Sequence, residues 1–249
     1  MSRAGSLQFA RLARYYDPLN EKKDYRRETK RLEAIVQRYG RSGGTAWLDV
    51  ACGTGRHLEI LRQRHEVSGV DSSPEMLRIA RRRLPGVPLT LGDMRAFRIR
   101  RSFDVVTCLF SAIGHLRSER DLLRTFANLA RHLRPGGLAI VEPWLDPSQY
   151  RSGYVHLVTH RNPALTVVRL SISARRRNHS IVRYHFLIAE PHQGIRHVEM
   201  VDVGLLVPRR RLLEIMREAG FRARFVPRGL TSGRGLLVGL KPSGFLSST

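Results

Sequence analysis

Short apolar runs alternate along residues 41–145 with segments in which apolar side chains recur every three or four positions. The runs have the length of buried strands and cover residues 47–50, 67–70, 87–91, 104–110 and 138–141. A segment with helical spacing follows most of them, and the clearest begins at Ser73-Pro74 and ends at Pro85-Gly86. Strands that alternate with helices predict a parallel sheet in a doubly wound α/β domain.

The pattern changes between residues 146 and 206, where apolar and polar side chains alternate with a period of two. Val168, Leu170 and Ile172 form one such series, and Val182 to Ile188 form another. This alternation predicts an antiparallel insertion of three or four strands. The insertion either covers the substrate or forms a dimer contact, and its start directly after the fifth strand favours the cover.

The two ends of the chain complete the predicted organisation. Residues 1–40 are helical in character and form either a lid over the ligand site or a helix packed against the edge of the sheet. Residues 207–241 contain a helix over 209–219 and the last two strands of the sheet, 221–226 and 236–240. Residues 41–145 are the binding core, 146–206 the insertion, and 242–249 a tail.

A glycine turn and three acidic residues define the predicted ligand site. Residues 48–55 read LDVACGTG, so a strand that contains Asp49 ends in a glycine turn before the first helix. Nucleotides bind beyond the carboxyl ends of strands in such sheets. Asp71 ends the second strand, about 20 residues after the turn, where a carboxylate can accept from both ribose hydroxyls. Asp93 follows the third strand, within reach of an adenine amino group.

The absence of two phosphate-binding motifs indicates which nucleotide binds there. The dinucleotide fingerprint needs a third glycine, but Leu58 stands at that place, and no P-loop lysine is present. A turn without phosphate-binding chemistry, flanked by Asp49, Asp71 and Asp93, suits a ligand that carries positive charge. S-adenosylmethionine has an ammonium and a sulfonium group and fits this description. The alternative is a glycine turn in an unrelated α/β domain.

The net charge of +23 limits the choice of partner. Of 44 basic residues, 40 are arginine, because lysine occurs only at Lys22, Lys23, Lys30 and Lys241. Such charge favours anionic substrates. The arginines are scattered over every segment, so a GC-rich genome explains the bias as well. The sequence has no stretch in which aromatic residues alternate with basic ones. Nucleic acid is therefore a weaker candidate for the substrate than an anionic small molecule.

Composition also bears on compartment and size. A chain of 249 residues can bury a substantial core as one domain. Neither a membrane span of about 20 apolar residues nor the apolar region of a signal peptide is recognisable. Cys52 and Cys108 lie in predicted core elements without metal-type spacing, so we expect a reduced, cytoplasmic protein without a metal.

These motifs resemble those of class I S-adenosylmethionine-dependent methyltransferases: LDVACGTG, Asp71, Gly92-Asp93-Met94 and Pro135-Gly136-Gly137. Further segments resemble the N,N-dimethyltransferases that act on dTDP-3-amino-deoxysugars in macrolide pathways. They are Lys23-Asp24-Tyr25, residues 110–116, residues 141–144, Gly153-Tyr154-Val155 and residues 232–236. The resemblance covers residues 15–241.

The resemblance implies a Rossmann-like seven-stranded sheet with a small antiparallel β insertion, S-adenosylmethionine as cofactor, a nucleotide-linked amino sugar as substrate, and a homodimer. His115 is then the catalytic residue. The expected cofactor contacts are Tyr16, Tyr25, Asp49, Ala51, Gly53, Gly55, Asp71, Ser72, Met76, Asp93, Met94 and Phe110. The expected substrate contacts are Ser111, Glu142, Tyr154 and Arg234.

The chemistry of methyl transfer assigns roles to two of these residues. A substrate amine must lose a proton before it attacks, so His115, placed at the end of the fourth strand, acts as a base or only orients the substrate. Arg234 lies in a glycine-flanked turn, where its planar guanidinium can bind a diphosphate or can simply be solvated. Two other functions stay open, an RNA methyltransferase with a basic face and a non-catalytic cofactor-binding protein.

Overall fold

The computed structural model describes residues 12–243, and within them two β-sheets carry most of the chain. The tail residues 244–249 and the first eleven residues of the expected lid lie outside the described range. The strands are β1 Ala46–Val50, β2 Glu66–Asp71, β3 Leu89–Leu91, β4 Phe103–Cys108, β5 Leu133–Val141, β6 Val155–Asn162, β7 Leu165–Arg176, β8 His179–Glu190, β9 Gly194–Leu205, β10 Arg222–Val226 and β11 Leu236–Leu240.

The larger sheet has seven strands in the order β10-β11-β5-β4-β1-β2-β3. Only β11 runs antiparallel to its neighbours, β10 and β5. The chain therefore leaves β1, β2 and β4 at the same edge of the sheet, and the predicted ligand residues follow these strands. The seven-stranded fold with an antiparallel β insertion is confirmed.

Helices cover both faces of this sheet. Residues 12–19 are helical and are called α1 here. The other helices are α2 Tyr25–Tyr39, α3 Arg56–Leu61, α4 Pro74–Arg83, α5 Glu119–Arg131 and α6 Arg209–Glu218. Three of them begin at a side chain that accepts a main-chain hydrogen bond, Asp24 for α2, Ser73 for α4 and Ser118 for α5. The start predicted at Ser73-Pro74 is confirmed.

The insertion forms the second sheet, four antiparallel strands in the order β6-β7-β8-β9. Its inner face packs on α1, because Val167, Phe186, Ile188 and Met200 form a buried cluster with Leu12, Tyr15 and Leu19. Helix α1 therefore lies against the insertion. The region around Tyr16, next to this cluster, brings the insertion and the core sheet together.

Three predicted boundaries are wrong, and two of them concern the site. Strand β4 ends at Cys108 instead of residue 110, because Phe110 and Ser111 have φ angles of 54° and 59° that no strand allows. His115 is consequently not at a strand end but closes a 3-10 turn, Ala112–His115. Strand β5 starts at Leu133 and runs through Pro135-Gly136-Gly137, since neighbouring chain segments supply its hydrogen bonds.

Among residues 12–243, no helix is long and apolar enough to cross a membrane. Cys52 and Cys108 are both buried and unbonded to each other.

Candidate active site

The turn after β1 adopts left-handed backbone conformations at three positions. Ala51 has φ 59°, Gly53 has φ 55° and Gly55 has φ 80°. Gly55 caps α3, and a Cβ atom there would lie 2.6 Å from Leu84 Cδ1, so only glycine fits. A Cβ atom at Gly53 would meet nothing within 4 Å, which leaves open space on the outer side of the turn.

Asp71, at the end of β2, holds this turn against the start of α4. Its carboxylate accepts from the main-chain N–H of Gly53 and of Ser73, each at 2.8 Å. Burial raises the pKa of Asp71, although these N–H groups oppose the shift. The main-chain N–H of Ser72 acts on the same carboxylate, which keeps acceptor capacity for a ligand hydroxyl.

Asp49 is a buried acid whose pKa is strongly raised by desolvation. It lies in β1, is 3% exposed, and accepts a hydrogen bond of 2.7 Å from the Thr107 hydroxyl. Burial raises the pKa of Asp49 to about 6, and the negative charge of Asp71 adds to the shift. A cation bound beside Asp49 would restore its ionised form.

Asp93 is already paired. Arg95 donates to its carboxylate from the main-chain N–H at 2.8 Å and from Nη2 at 2.6 Å, and these bonds hold the pKa of Asp93 below its usual range. Arg95 also bonds Asp121 at 3.2 Å. Sequence reasoning missed this pairing, and a base that binds to Asp93 must compete with Arg95.

Helix α1 is tied to the glycine turn through Asp17. The carboxylate of Asp17 accepts from the Thr54 hydroxyl at 2.6 Å and from Arg83 Nη2 at 2.6 Å. Tyr16, the preceding residue, makes an edge-to-face contact with Phe110 at 6.1 Å. Burial raises the pKa of Tyr16, with further contributions from Tyr25, Asp17 and Asp71, so the hydroxyl stays protonated near these acids.

A second carboxylate, Glu28 in α2, organises the residues beside Tyr25. Glu28 accepts from Lys23 at 2.6 Å, from His57 at 2.8 Å and from the Thr231 hydroxyl. Burial opposes ionisation, but these hydrogen bonds outweigh it and lower the pKa of Glu28 to about 2. The ring of Tyr25 contacts His57 at 4.9 Å, and burial raises the Tyr25 pKa to about 12. Sequence reasoning missed Glu28 because an acid inside an amphipathic helix carries no local signal.

The segment after β4 forms a third part of the site. Glu142, 0% exposed at the end of β5, accepts from the main-chain N–H of Phe110 at 2.7 Å and from the Ser232 hydroxyl. Ser111 donates to the Pro143 carbonyl at 2.7 Å. These contacts join the ends of β4 and β5 to the β10–β11 loop.

Arg234 extends from that loop over this cluster. Its Nη1 donates to Ser111 Oγ at 2.8 Å, and its guanidinium carbon lies 4.7 Å from the centre of the Trp144 ring. In the described part of the chain, no carboxylate lies within ion-pair distance of Arg234. Burial lowers its pKa, and the more distant Glu142 and Tyr184 oppose this shift. The charge is therefore incompletely balanced.

His115 contacts a residue of the insertion. Its Nδ1 lies 3.1 Å from Asp202 Oδ1 in β9. An ionised carboxylate only accepts, so Nδ1 donates and the ring orientation is fixed. Asp202 is a neighbour of His115 that sequence reasoning missed.

The remaining predicted residues are Tyr154, Met76, Met94 and Ser72, and the main-chain N–H of Ser72 also acts on the Asp71 carboxylate. Tyr154 precedes β6, is 61% exposed, and stacks on His156 at 6.2 Å. Met76 is buried in α4, Met94 packs against the core, and Ser72 is exposed.

The residues of the glycine turn fit S-adenosylmethionine. Open space at Gly53, spare acceptors on Asp71 and a desolvated carboxylate at Asp49 match a ligand with ribose hydroxyls and positive charge.

Comparisons with known proteins agree with this chemistry. Residues 48–137 match the family model described as a methyltransferase domain. The dTDP-3-amino-3,6-dideoxy-alpha-D-glucopyranose N,N-dimethyltransferase of Streptomyces fradiae is 40% identical over 92% of this chain and 90% of its own length.

Two solved structures share the fold closely. The crystal structure of DesVI from Streptomyces venezuelae has a TM-score of 0.84 and 37% identity, covering 90% of this chain and 94% of that one. The S-adenosylmethionine-bound CalS10, an amino pentose methyltransferase from Micromonospora echinaspora, has a TM-score of 0.80 and 34% identity, covering 89% and 93%. The chain belongs to the S-adenosylmethionine-dependent dTDP-aminosugar N,N-dimethyltransferases.

Proposed function

We propose that this protein methylates the amino group of a dTDP-linked 3-amino-deoxysugar twice. The similarity to the 3-amino-sugar enzyme of Streptomyces fradiae supports the substrate class. The observation that carries the proposal is Arg234, a largely buried cation whose direct partners are the neutral Ser111 and Trp144. A nucleotide diphosphate supplies the anion that this position lacks.

For cofactor binding we propose the residues that the sequence predicted around the glycine turn. Asp71 accepts from the ribose hydroxyls, Asp49 lies on the cationic side of the ligand, and Asp93 reaches the adenine amino group in competition with Arg95. Tyr16, Tyr25 and Phe110 close the site. Bound S-adenosylmethionine supplies an electrophilic methyl group on its sulfonium sulfur.

The residues of the chain then act mainly by alignment. Arg234 and Ser111 hold the diphosphate end of the substrate. Glu142 fixes the chain next to each of them, because it binds Phe110 beside Ser111 and Ser232 near Arg234. Alignment of reacting groups can contribute about 7–11 kcal/mol to catalysis. His115, oriented by Asp202, accepts the proton of the substrate ammonium or positions the amine. A pH–rate profile of His115→Ala separates these two roles.

The direct test is a mass-spectrometric assay with isotopically labelled S-adenosylmethionine. We expect dTDP-3-amino-3,6-dideoxyglucose to gain two labelled methyl groups, and the 3-hydroxy analogue to gain none. Labelled transfer to RNA, with no transfer to amino sugars, would contradict the proposal. Cofactor binding without transfer to any amino-sugar nucleotide would identify a non-catalytic binding protein instead.

We further propose that the outer face of the insertion forms a homodimer contact in a cytoplasmic enzyme. This outer face carries a cluster of exposed apolar side chains: Val155, Leu157, Leu170, Ile172, Leu187, Ile195 and Val201. A patch of this kind favours a protein partner. Arg183 and Glu199 lie on the same face, so a second copy related by a two-fold axis can pair opposite charges.

Light scattering coupled to size-exclusion chromatography tests the dimer. Leu187→Glu on the outer face should yield a monomer. Leu91→Glu is the matched control, because Leu91 is an exposed apolar residue of the core sheet, and this variant should remain dimeric. A wild-type protein that is monomeric at micromolar concentration would contradict the proposal.

A further inference from the structure

Arg169 is a cation of the insertion that the predicted site does not include. It lies in β7, opposite Phe186 of β8, and therefore on the inner face that carries the buried Val167 and Ile188. Its guanidinium carbon lies 5.7 Å from the centre of the Tyr184 ring. The side chain thus points toward α1 and the core sheet instead of toward solvent.

The guanidinium of Arg169 has unused hydrogen-bonding capacity. Its Nε is buried and has no hydrogen-bond partner among residues 12–243. Within the same range, no carboxylate lies at ion-pair distance from it. Burial lowers the pKa of Arg169, and only the hydroxyls of Tyr184 and Tyr16 oppose this shift. Arg169 is half-buried, and a buried N–H without an acceptor destabilises a fold, so the unpartnered Nε favours a ligand at this position.

The inner face of the insertion borders the site that contains Arg234. Asp202 of β9 pairs with Val182 and lies on the same face as Tyr184, and its Oδ1 lies 3.1 Å from Nδ1 of His115, four residues after the Ser111 that Arg234 contacts. Burial raises the pKa of Tyr184 and Asp202 adds to the shift, whereas Arg169 and Arg234 lower it. Neither cation has a carboxylate at ion-pair distance in the described residues.

Two guanidinium groups, one on the insertion and one in the β10–β11 loop, match the two phosphoryl groups of a diphosphate. Each phosphoryl group offers oxygens that a planar guanidinium can bind in two-point fashion. A single guanidinium can bind one phosphoryl group, and two guanidinium groups can bind both phosphoryl groups of a diphosphate. The positions of Arg169 and Arg234 on different chain segments allow them to approach the diphosphate from two directions.

We infer that Arg169 is a second diphosphate-binding residue, and that it holds the nucleoside diphosphate of the substrate together with Arg234. The inference rests on the proposed function, since it assumes a nucleotide-linked substrate. It assigns to the insertion a direct role in substrate recognition in addition to covering the site.

Calorimetric titration with dTDP and with S-adenosylmethionine tests the inference. Arg169→Gln should weaken dTDP binding at least about tenfold, the effect of one hydrogen bond to a charged group, and leave S-adenosylmethionine binding unchanged. Arg169→Lys keeps the charge but loses the two-point geometry. Its affinity for dTDP should lie between those of the wild type and Arg169→Gln. The matched control is Arg161→Gln, which removes one exposed charge from β6 of the same sheet and should bind dTDP like the wild type.

The outcomes separate this inference from the proposed function. Wild-type affinity for dTDP in Arg169→Gln would overturn the role of Arg169 and leave the proposed function intact. Weakened S-adenosylmethionine binding with unchanged dTDP binding would assign Arg169 to the cofactor carboxylate and also overturn it. Absence of dTDP binding by the wild-type protein would reject both. Arg169→Gln should unfold at the wild-type temperature or above it, because it removes an unbalanced, half-buried charge.

Discussion

The candidate site has an acidic side and a basic side, which the chain builds in different ways. Asp49 and Asp71 form the acidic side, on neighbouring strands that follow each other within a short segment. Arg169 and Arg234 form the proposed basic side, on segments far apart in the chain. The pKa of Tyr16, raised mainly by burial, is raised further by Asp71 and lowered by Arg169.

This difference shows how one site can discriminate two ligands by charge. Desolvated acids favour a cationic cofactor, and cations without carboxylate partners favour an anionic substrate. If the two sides act independently, a substitution on one side should affect one ligand only. The following predictions test that division.

The largest effect is expected for Asp71→Ala. The carboxylate accepts from ribose hydroxyls and also fixes Gly53 and Ser73, so S-adenosylmethionine binding should weaken by about 2–3 kcal/mol, or about 30- to 150-fold. Calorimetry measures this change, with circular dichroism to show that the variant is folded. Unchanged affinity in a folded variant would remove Asp71 from the cofactor site.

Arg234→Ala should raise the KM for the dTDP-linked sugar about tenfold to a hundredfold, because one charged contact to the diphosphate is lost. Steady-state kinetics with the nucleotide-linked sugar measures the effect. The free amino sugar, which lacks phosphates, is the control substrate and should react with both proteins alike. An equal loss with both substrates would contradict the phosphate role.

His115→Ala should lower kcat about tenfold to a hundredfold at neutral pH if the imidazole accepts the proton. Loss of the proton to water costs about 1.4–2.8 kcal/mol for an amine whose pKa lies one or two units above the ambient pH. The kcat of the variant should therefore recover in part at higher pH, where more of the amine is neutral. A pH–rate profile decides between the two roles. A modest loss that does not depend on pH would show that His115 only positions the amine.

The smallest effect concerns the pH dependence of cofactor binding. Asp49 has a pKa raised from 3.8 to about 6, so a cationic ligand binds better once it is ionised. Affinity for S-adenosylmethionine should fall as pH drops through about 6, by at most about tenfold per unit, and Asp49→Asn should abolish this dependence. Calorimetry at several pH values measures both proteins, and an identical slope in the variant would contradict the assignment.

The same shift has a consequence for stability with a defined sign. Between pH 3.8 and about 6 the native state binds the Asp49 proton more tightly than the unfolded state, so the contribution of Asp49 to stability falls as pH rises through this window. Asp49→Asn should therefore be more stable than the parent by about 2–3 kcal/mol at pH 7, with no difference below about pH 4. Denaturant unfolding curves at the two pH values test this sign.

The acidic side could be predicted from the sequence because its signals are local. A strand, a glycine turn and an acid about 20 residues later fix the relative positions of Asp49 and Asp71 once the sheet is parallel. The alternation within residues 168–172 and 182–188 likewise predicted the insertion. In contrast, Arg169, Asp202 and Glu28 meet their neighbours only through tertiary packing, and nothing in 40 scattered arginines distinguishes one buried guanidinium.

Backbone conformation explains the errors near the site. The apolar run 104–110 predicted a strand throughout, but Glu142 accepts the N–H of Phe110 and stabilises a left-handed turn there. This turn moves His115 out of the strand end and toward Asp202. Such a contact between distant residues leaves no periodic signal in the sequence.

The division of the site is tested most directly by crossed titrations of two ligands into two variants. Asp71→Ala should bind dTDP as the wild type does, and Arg234→Ala should bind S-adenosylmethionine as the wild type does, although each loses affinity for its own ligand. A loss of both affinities in either folded variant would contradict the separation of an acidic cofactor side from a basic substrate side.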